Sequence, residues 1–321
     1  MDRYDTFGLG HYEMPDWLVR PAVEACRLFN GAVDSIFYNT HGLTQALARR
    51  DRVVTTMQGS KLPSRIIDLD ALRDPEGSLL LIDPATEPYV HRFENVEAFL
   101  QSPHQSTQSV NIVTITGVGS SALGSAAFAW DVATALGKPV LAIVPGYGVV
   151  DLFEQALGGW FGFGLYNWLH SEQTVQATLA NVAPKTAAIG RNLSASSPGA
   201  TSRNGAPVFR YGSGSSDVLH DLMSHRKKPF RMLVGHSKGA LQIGNAIGSL
   251  PAAKTKDIDV VTMGCPIAEE VRGIRHHQFL GILDALGQLN MWGNWPEHWT
   301  WSWHTTNPLL PPAMNVRDAV R

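Results

Sequence analysis

The chain is poor in cysteine. Its 321 residues carry only two, Cys26 and Cys265. They lie far apart among apolar neighbours, so they read as buried thiols, not a disulfide framework, and neither has metal-type spacing. No run reaches the ~18 apolar residues of a membrane-spanning helix. No charge of one sign dominates either. Against 28 acidic residues stand 26 basic ones, a formal net charge of −2. Nucleic acid and anionic membrane surfaces are therefore not expected partners. The small basic cluster at Arg226-Lys227-Lys228 reads as a solvated loop. The opening residues, Met1-Asp2-Arg3-Tyr4-Asp5, hold no basic segment ahead of an apolar one. No cleaved export signal is expected, and a cytoplasmic location is. There is no internal repeat, and no cofactor or metal is called for.

What is present is a steady alternation of strand and helix signals from residue 110 onward. Strands are expected at 110–116, 139–144, 231–235, 258–263 and 278–283. Helices are expected at 121–136, from Val150, at 217–226 and directly after Gly239. Such alternation predicts an α/β protein, a mostly parallel sheet with helices on both faces. Upstream, residues 15–50 look helical, with a second helix over Gly42–Arg50. Strands at 65–69 and 79–82, around a turn at 74–77, predict an antiparallel entry to the sheet. A short helix over Glu94–Leu100 and a polar loop over 101–108 follow. The chain thus divides into an extension, 1–104, packed on a core, 105–321. Residues 190–216 read as a loop. An aromatic segment at 158–168 reads either as core packing or as part of a lid or acyl pocket.

The most informative stretch is Arg231-Met232-Leu233-Val234-Gly235-His236-Ser237-Lys238-Gly239-Ala240-Leu241. An apolar run ends in Gly-x-Ser-x-Gly and passes directly into a helical pattern. Composition alone yields about 0.2 such pentapeptides in a chain this long, so the context carries the weight. A tight strand-to-helix turn forces its serine into a strained conformation and points Oγ into a cleft. Gly235 and Gly239 let strand and helix approach. The alternative is a Gly-Ser turn ahead of an ordinary helix. His236, inside the turn, reads as a packing residue.

Gly235-His236-Ser237-x-Gly239 resembles the elbow of the α/β-hydrolase superfamily, its lipase and esterase branch in particular. Val260-Val261-Thr262-Met263-Gly264-Cys265-Pro266 is similar to the strand and turn that follow the elbow helix in class 3 lipases. Lys238 departs from the small or aliphatic residue common there. The resemblance begins at about residue 108. It implies the α/β-hydrolase fold and a serine hydrolase cleaving a small-molecule or lipid carboxylic ester through an acyl-enzyme. An acyltransferase or a thioesterase would use the same residues.

The resemblance also implies the chain order serine, acid, histidine. Asp284 ends the apolar run 278–283 and is the candidate acid; the alternative is a helix N-cap or turn aspartate. Glu269 and Glu270 are its rivals, and Asp257 and Asp259 stand at the wrong end of their strand. His304, among the C-terminal tryptophans, is the candidate base, ahead of His298. His276 and His277 read as surface residues ahead of a strand. For the oxyanion, the Lys238 amide and, by resemblance, the Val118 amide are the expected donors. The tryptophans at 292, 295, 299, 301 and 303 are candidates to line the same cleft.

One rival reading uses that same loop. Gly117-Val118-Gly119-Ser120-Ser121-Ala122 matches Gly-x-Gly-x-x-Ala between a strand and a helix, the dinucleotide-binding pattern. It calls for an acid at the end of the next strand. That strand instead ends in Pro145-Gly146-Tyr147-Gly148, and the first acid is Asp151.

Overall fold

A computed structural model describes Pro21 and residues 31–58, 77–117, 120–145, 214–267, 271, 273–291 and 294–321. The expected strand at 65–69, the aromatic segment 158–168 and the loop 190–213 lie outside these residues, as do Cys26, Val118, Gly119, Glu269, Glu270 and Trp292.

Among the described residues, eight strands form one mixed sheet: β1 (Leu79–Ile82), β2 (Val90–Phe93), β3 (Ile112–Ile115), β4 (Val140–Ile143), β5 (Met232–His236), β6 (Ile258–Met263), β7 (Ile274–Gly281) and β8 (His298–Thr300). Their spatial order is β2-β1-β4-β3-β5-β6-β7-β8. β1 runs antiparallel to β2 and β4, and β3 to β8 run parallel. This is a mostly parallel α/β fold. The expected strand at 79–82 is β1, which does enter the sheet antiparallel; β2 is its neighbour, and both lie at one edge of the main sheet.

Both faces of the sheet are covered. Alternate strand residues feed two separate clusters, as the two-residue period dictates. Leu80, Ile82, Val140 and Ala142 pack with α4 (Ala122–Leu136) and α9 (Val316–Val320). On that side α1 (Thr40–Gln58) contributes Leu43 and Leu47. Leu79, Leu81, Val113, Leu141 and Leu233 pack on the other face, against α5 (Gly214–His225) and α6 (Lys238–Ser249). The small side chains of α4 let it lie close to the strands. Ser121 caps its start by accepting from Leu123 and Gly124, and Gly137, at φ 62°, ends it.

The local chemistry explains three differences from expectation. Residues 101–108 are not all loop: α2 (Val96–Gln101) is followed by α3 (Gln105–Ser109), because the His104 ring accepts from the Ser106 N–H and caps that turn. β7 starts at Ile274, so His276 and His277 lie within a strand, and His276 is buried, not at the surface. β7 also ends earlier than expected, at Gly281, which leaves Asp284 as the N-cap of α8 (Ala285–Leu289). A single turn, α7 (Ala252–Thr255), precedes β6. No described helix is long and apolar enough to cross a membrane.

The sheet has a switch point. From β3 the chain crosses to β4 on one side, while β5 lies on the other. The loops leaving β3 and β5 therefore part at the carboxyl ends of these strands, the place where open α/β sheets bind ligands.

Candidate active site

Ser237 sits at that point, between β5 and α6. Its backbone is at φ 55° and ψ −128°, a strained conformation for any residue with a side chain. The turn is held because the Ser237 N–H donates to the Met263 carbonyl at 2.9 Å. A Cβ on Gly239 would collide with the Ile115 carbonyl on β3, and one on Gly235 would lie 2.7 Å from the Ala240 backbone. Only glycine at both places lets α6 start directly behind the sheet.

Two strand ends deliver the partners of Ser237. His304 follows β8, and Asp284 follows β7. The Ser237 hydroxyl donates to His304 Nε2 at 2.9 Å, and His304 Nδ1 donates to both Asp284 oxygens at 2.8 and 2.9 Å. An ionised aspartate only accepts, so it fixes the proton on Nδ1 and leaves Nε2 as the acceptor for the serine. Asp284 Oδ1 also accepts the Gly287 N–H at 2.7 Å. The two readings of Asp284, helix cap and histidine partner, are both true. The cap anchors the carboxylate, and the carboxylate orients the ring. Ser237 and Asp284 are buried, and His304 is 9% exposed.

The loop after β6 makes room for this series. Gly264 has φ 72°, and a Cβ there would stand 2.9 Å from the His304 ring and 3.2 Å from Asp284 Oδ2. The neighbouring Cys265 thiol is pushed up to about 12, first by burial and then by the Asp284 charge. The thiol therefore stays protonated and uncharged beside the His304–Asp284 pair.

The N-terminal region supplies groups that the motifs do not reveal. The Phe37 ring meets His304 edge-on, at 5.9 Å between centroids. Thr305 and Thr306 hydroxyls donate to the Ile36 and Phe37 carbonyls at 2.6 and 2.9 Å, and the Asn307 amide donates to the Ser35 carbonyl at 2.6 Å. The segment that carries His304 is thus sewn to residues 35–37. Tyr38 Oη accepts the Gly117 N–H at 2.7 Å and bonds to His236 Nδ1 at 2.9 Å. Burial, and then the neighbouring His304, hold His236 well below its ordinary pKa, so it stays neutral. Asp34, one turn earlier, accepts from Ser120 Oγ and from the Ser121 N–H, each at 2.8 Å.

Other candidates are placed elsewhere. His298 stacks on Phe279 at the surface, with Nε2 3.8 Å from Glu297. Asp259 pairs with Arg275 at 2.6 Å, away from the serine. Lys238 is buried as the first residue of α6, which sets its amide beside Ser237. Trp295, Trp299, Trp301 and Trp303 stand on the surface, 43 to 70% exposed. Among the described residues, His277, Glu297 and His298 are the one group of such side chains that could hold a metal, and none belongs to the Ser237 series.

Comparison of the chain with protein-family models, with curated proteins and with solved structures finds no match. A strained, buried serine is bonded to an imidazole, which is oriented by a capped carboxylate. Such a series can move the serine proton to nitrogen as Oγ attacks an electrophile.

Proposed function

We propose that the protein is a serine hydrolase of the α/β-hydrolase type, lipase or esterase branch, and that it cleaves a carboxylic ester through an acyl-enzyme. One observation carries this: Ser237 Oγ, His304 Nε2, His304 Nδ1 and Asp284 form one unbroken hydrogen-bonded line, with links of 2.8 to 2.9 Å. Ser237 Oγ attacks the ester carbonyl while His304 Nε2 takes its proton. The tetrahedral oxyanion draws on the Lys238 amide and on the loop that starts at Gly117. The Gly117 amide itself is committed to Tyr38, which favours the next residue, Val118, as the second donor. Collapse expels the alcohol, which takes the proton from His304. Water then repeats the sequence on the acyl-enzyme, with His304 as base. Asp284 keeps the tautomer and stabilises the imidazolium throughout.

Acyl transfer and thioester hydrolysis would use the same residues. They differ in the acceptor or leaving group, and product analysis with an added alcohol or thiol separates them. Nucleotide binding at the Gly117–Ala122 loop is disfavoured. A dinucleotide's pyrophosphate would need the start of α4, yet the Asp34 carboxylate already holds the Ser121 amide there.

A chain-length series of p-nitrophenyl esters, run on wild type and Ser237→Ala, tests the proposal. Turnover by the wild type and a loss of several orders of magnitude in the variant support it. Full activity in Ser237→Ala ends it. The preferred acyl length separates esterase from lipase.

A further inference from the structure

Residues far from the Gly-x-Ser-x-Gly segment grip the loop that faces the nucleophile. Residues 31–37 are helical, and the Tyr38 N–H donates to the Asp34 carbonyl at 2.7 Å. Asp34 and Tyr38 are thus one turn apart and point the same way. Asp34 takes the far end of the loop, at Ser120 and Ser121. Tyr38 takes the near end, at Gly117. A Cβ on Gly117 would lie 3.2 Å from Ser237 Cβ and 3.6 Å from Oγ, so the loop's near end touches the nucleophile. Both grips are built into the interior: Asp34 is 3% exposed and Tyr38 2%. Asp34 also packs against Gly124 in the first turn of α4, where the helix dipole favours an anion. Through His236, Tyr38 is tied to the residue preceding Ser237.

We infer that Asp34 and Tyr38 form a two-point clamp that positions the loop after β3 against Ser237, and that they act as positioning residues for the attack on the ester. This rests on the serine-hydrolase reading. The physical basis is that oxyanion donors work only when their geometry is set before charge develops. A loop rich in glycine cannot set its own geometry. The Tyr38 hydroxyl fixes the peptide plane at Gly117, and the Asp34 carboxylate fixes the one at Ser121. Neither side chain needs to touch substrate.

The test uses Tyr38→Phe and Asp34→Asn in the full chain. Amide hydrogen exchange is followed in peptides spanning residues 114–123, beside kcat, KM, thermal stability and the rate of Ser237 labelling by a fluorophosphonate. Tyr38→Phe should speed exchange at Gly117 and Asp34→Asn at Ser121. Each should lower kcat and the labelling rate about 10- to 100-fold with KM little changed. A residue that merely supports the fold would instead lower stability and leave kcat per folded molecule intact. Unchanged exchange at both amides overturns the clamp, whatever the reaction is. Faster exchange with kcat and labelling within about twofold of wild type overturns its role in the chemistry. Absence of Ser237-dependent turnover in the wild type overturns the hydrolase reading, and with it that role, while exchange still decides whether the clamp exists.

Discussion

Gly264→Ala isolates the geometry of the site from the stability of the fold. The new methyl group would stand 2.9 Å from His304 Cε1 and Nδ1, about 0.5 Å inside ordinary contact distance. Nothing soft lies in its way. The ring is held through Nδ1 by Asp284 at 2.8 Å and through Nε2 by Ser237 at 2.9 Å. Any retreat lengthens at least one of those bonds. A 1 Å misplacement costs on the order of 10²-fold in rate, so about 10- to 100-fold in kcat is expected, with KM nearly unchanged. The backbone adds its own cost, because φ 72° is strained for alanine by about 1–2 kcal/mol. That lowers Tm by about 1.5–3 °C for a chain of this size. Gly137→Ala is the matched control. Gly137 has φ 62°, and its Cβ would meet nothing within 4 Å. It should lose similar stability and keep full kcat. Steady-state kinetics on a p-nitrophenyl ester and thermal melts of both variants decide the matter. Equal kcat in the two would refute the idea that Gly264 makes room for the base.

Asp284→Asn should lower kcat by about 10⁴-fold with little loss of stability, because an amide oxygen can still accept from Gly287 while the orienting charge is gone. Asp284→Ala should in addition lose the cap of α8, about 1 kcal/mol in denaturant melts. His304→Ala should match Ser237→Ala in kcat, whereas His298→Ala, at the surface against Phe279, should stay near wild type. Burial pushes the Asp34 carboxyl up to about 6, against the hydrogen bonds from Ser121 and Ser120 that lower it. The folded chain therefore keeps a proton that the unfolded chain releases near pH 4. The stability this provides is fully present below that pH, is lost as pH rises to about 6, and amounts to about 3 kcal/mol. Melts of wild type and Asp34→Asn between pH 4 and 7 should show the wild type's relative stability falling across that window. A pH-independent difference would contradict the burial of the charge.

The legible parts of this protein were those set by neighbouring residues. β6 lies where its apolar run ends at Gly264, and α4 lies between Ser121 and Gly137, a capping serine and a left-handed glycine. The elbow is a local pattern, and Ser237 has the positive φ that the pattern demands. Asp284 was reachable because it closes an apolar run, and His304 because it is a downstream histidine set among bulky side chains. β8 was not legible, being three residues long and rich in polar and aromatic side chains. The run Arg275-His276-His277 hid the start of β7. Asp34, Phe37 and Tyr38 carried no motif at all. Tyr38 meets Gly117 across 79 residues and His236 across 198. No local period encodes such contacts; only a polar pair one turn apart, Asp34 and Tyr38, on a helix that packs inward, hinted at them.

The central claim is that Ser237 is the nucleophile and His304 its base. Incubation with a fluorophosphonate followed by peptide mass spectrometry tests it most directly. The account predicts a single adduct on the peptide carrying Ser237, none in Ser237→Ala, and labelling slowed by at least about a hundredfold in a folded His304→Ala. An unlabelled wild type, or labelling that is as fast without His304, would contradict it.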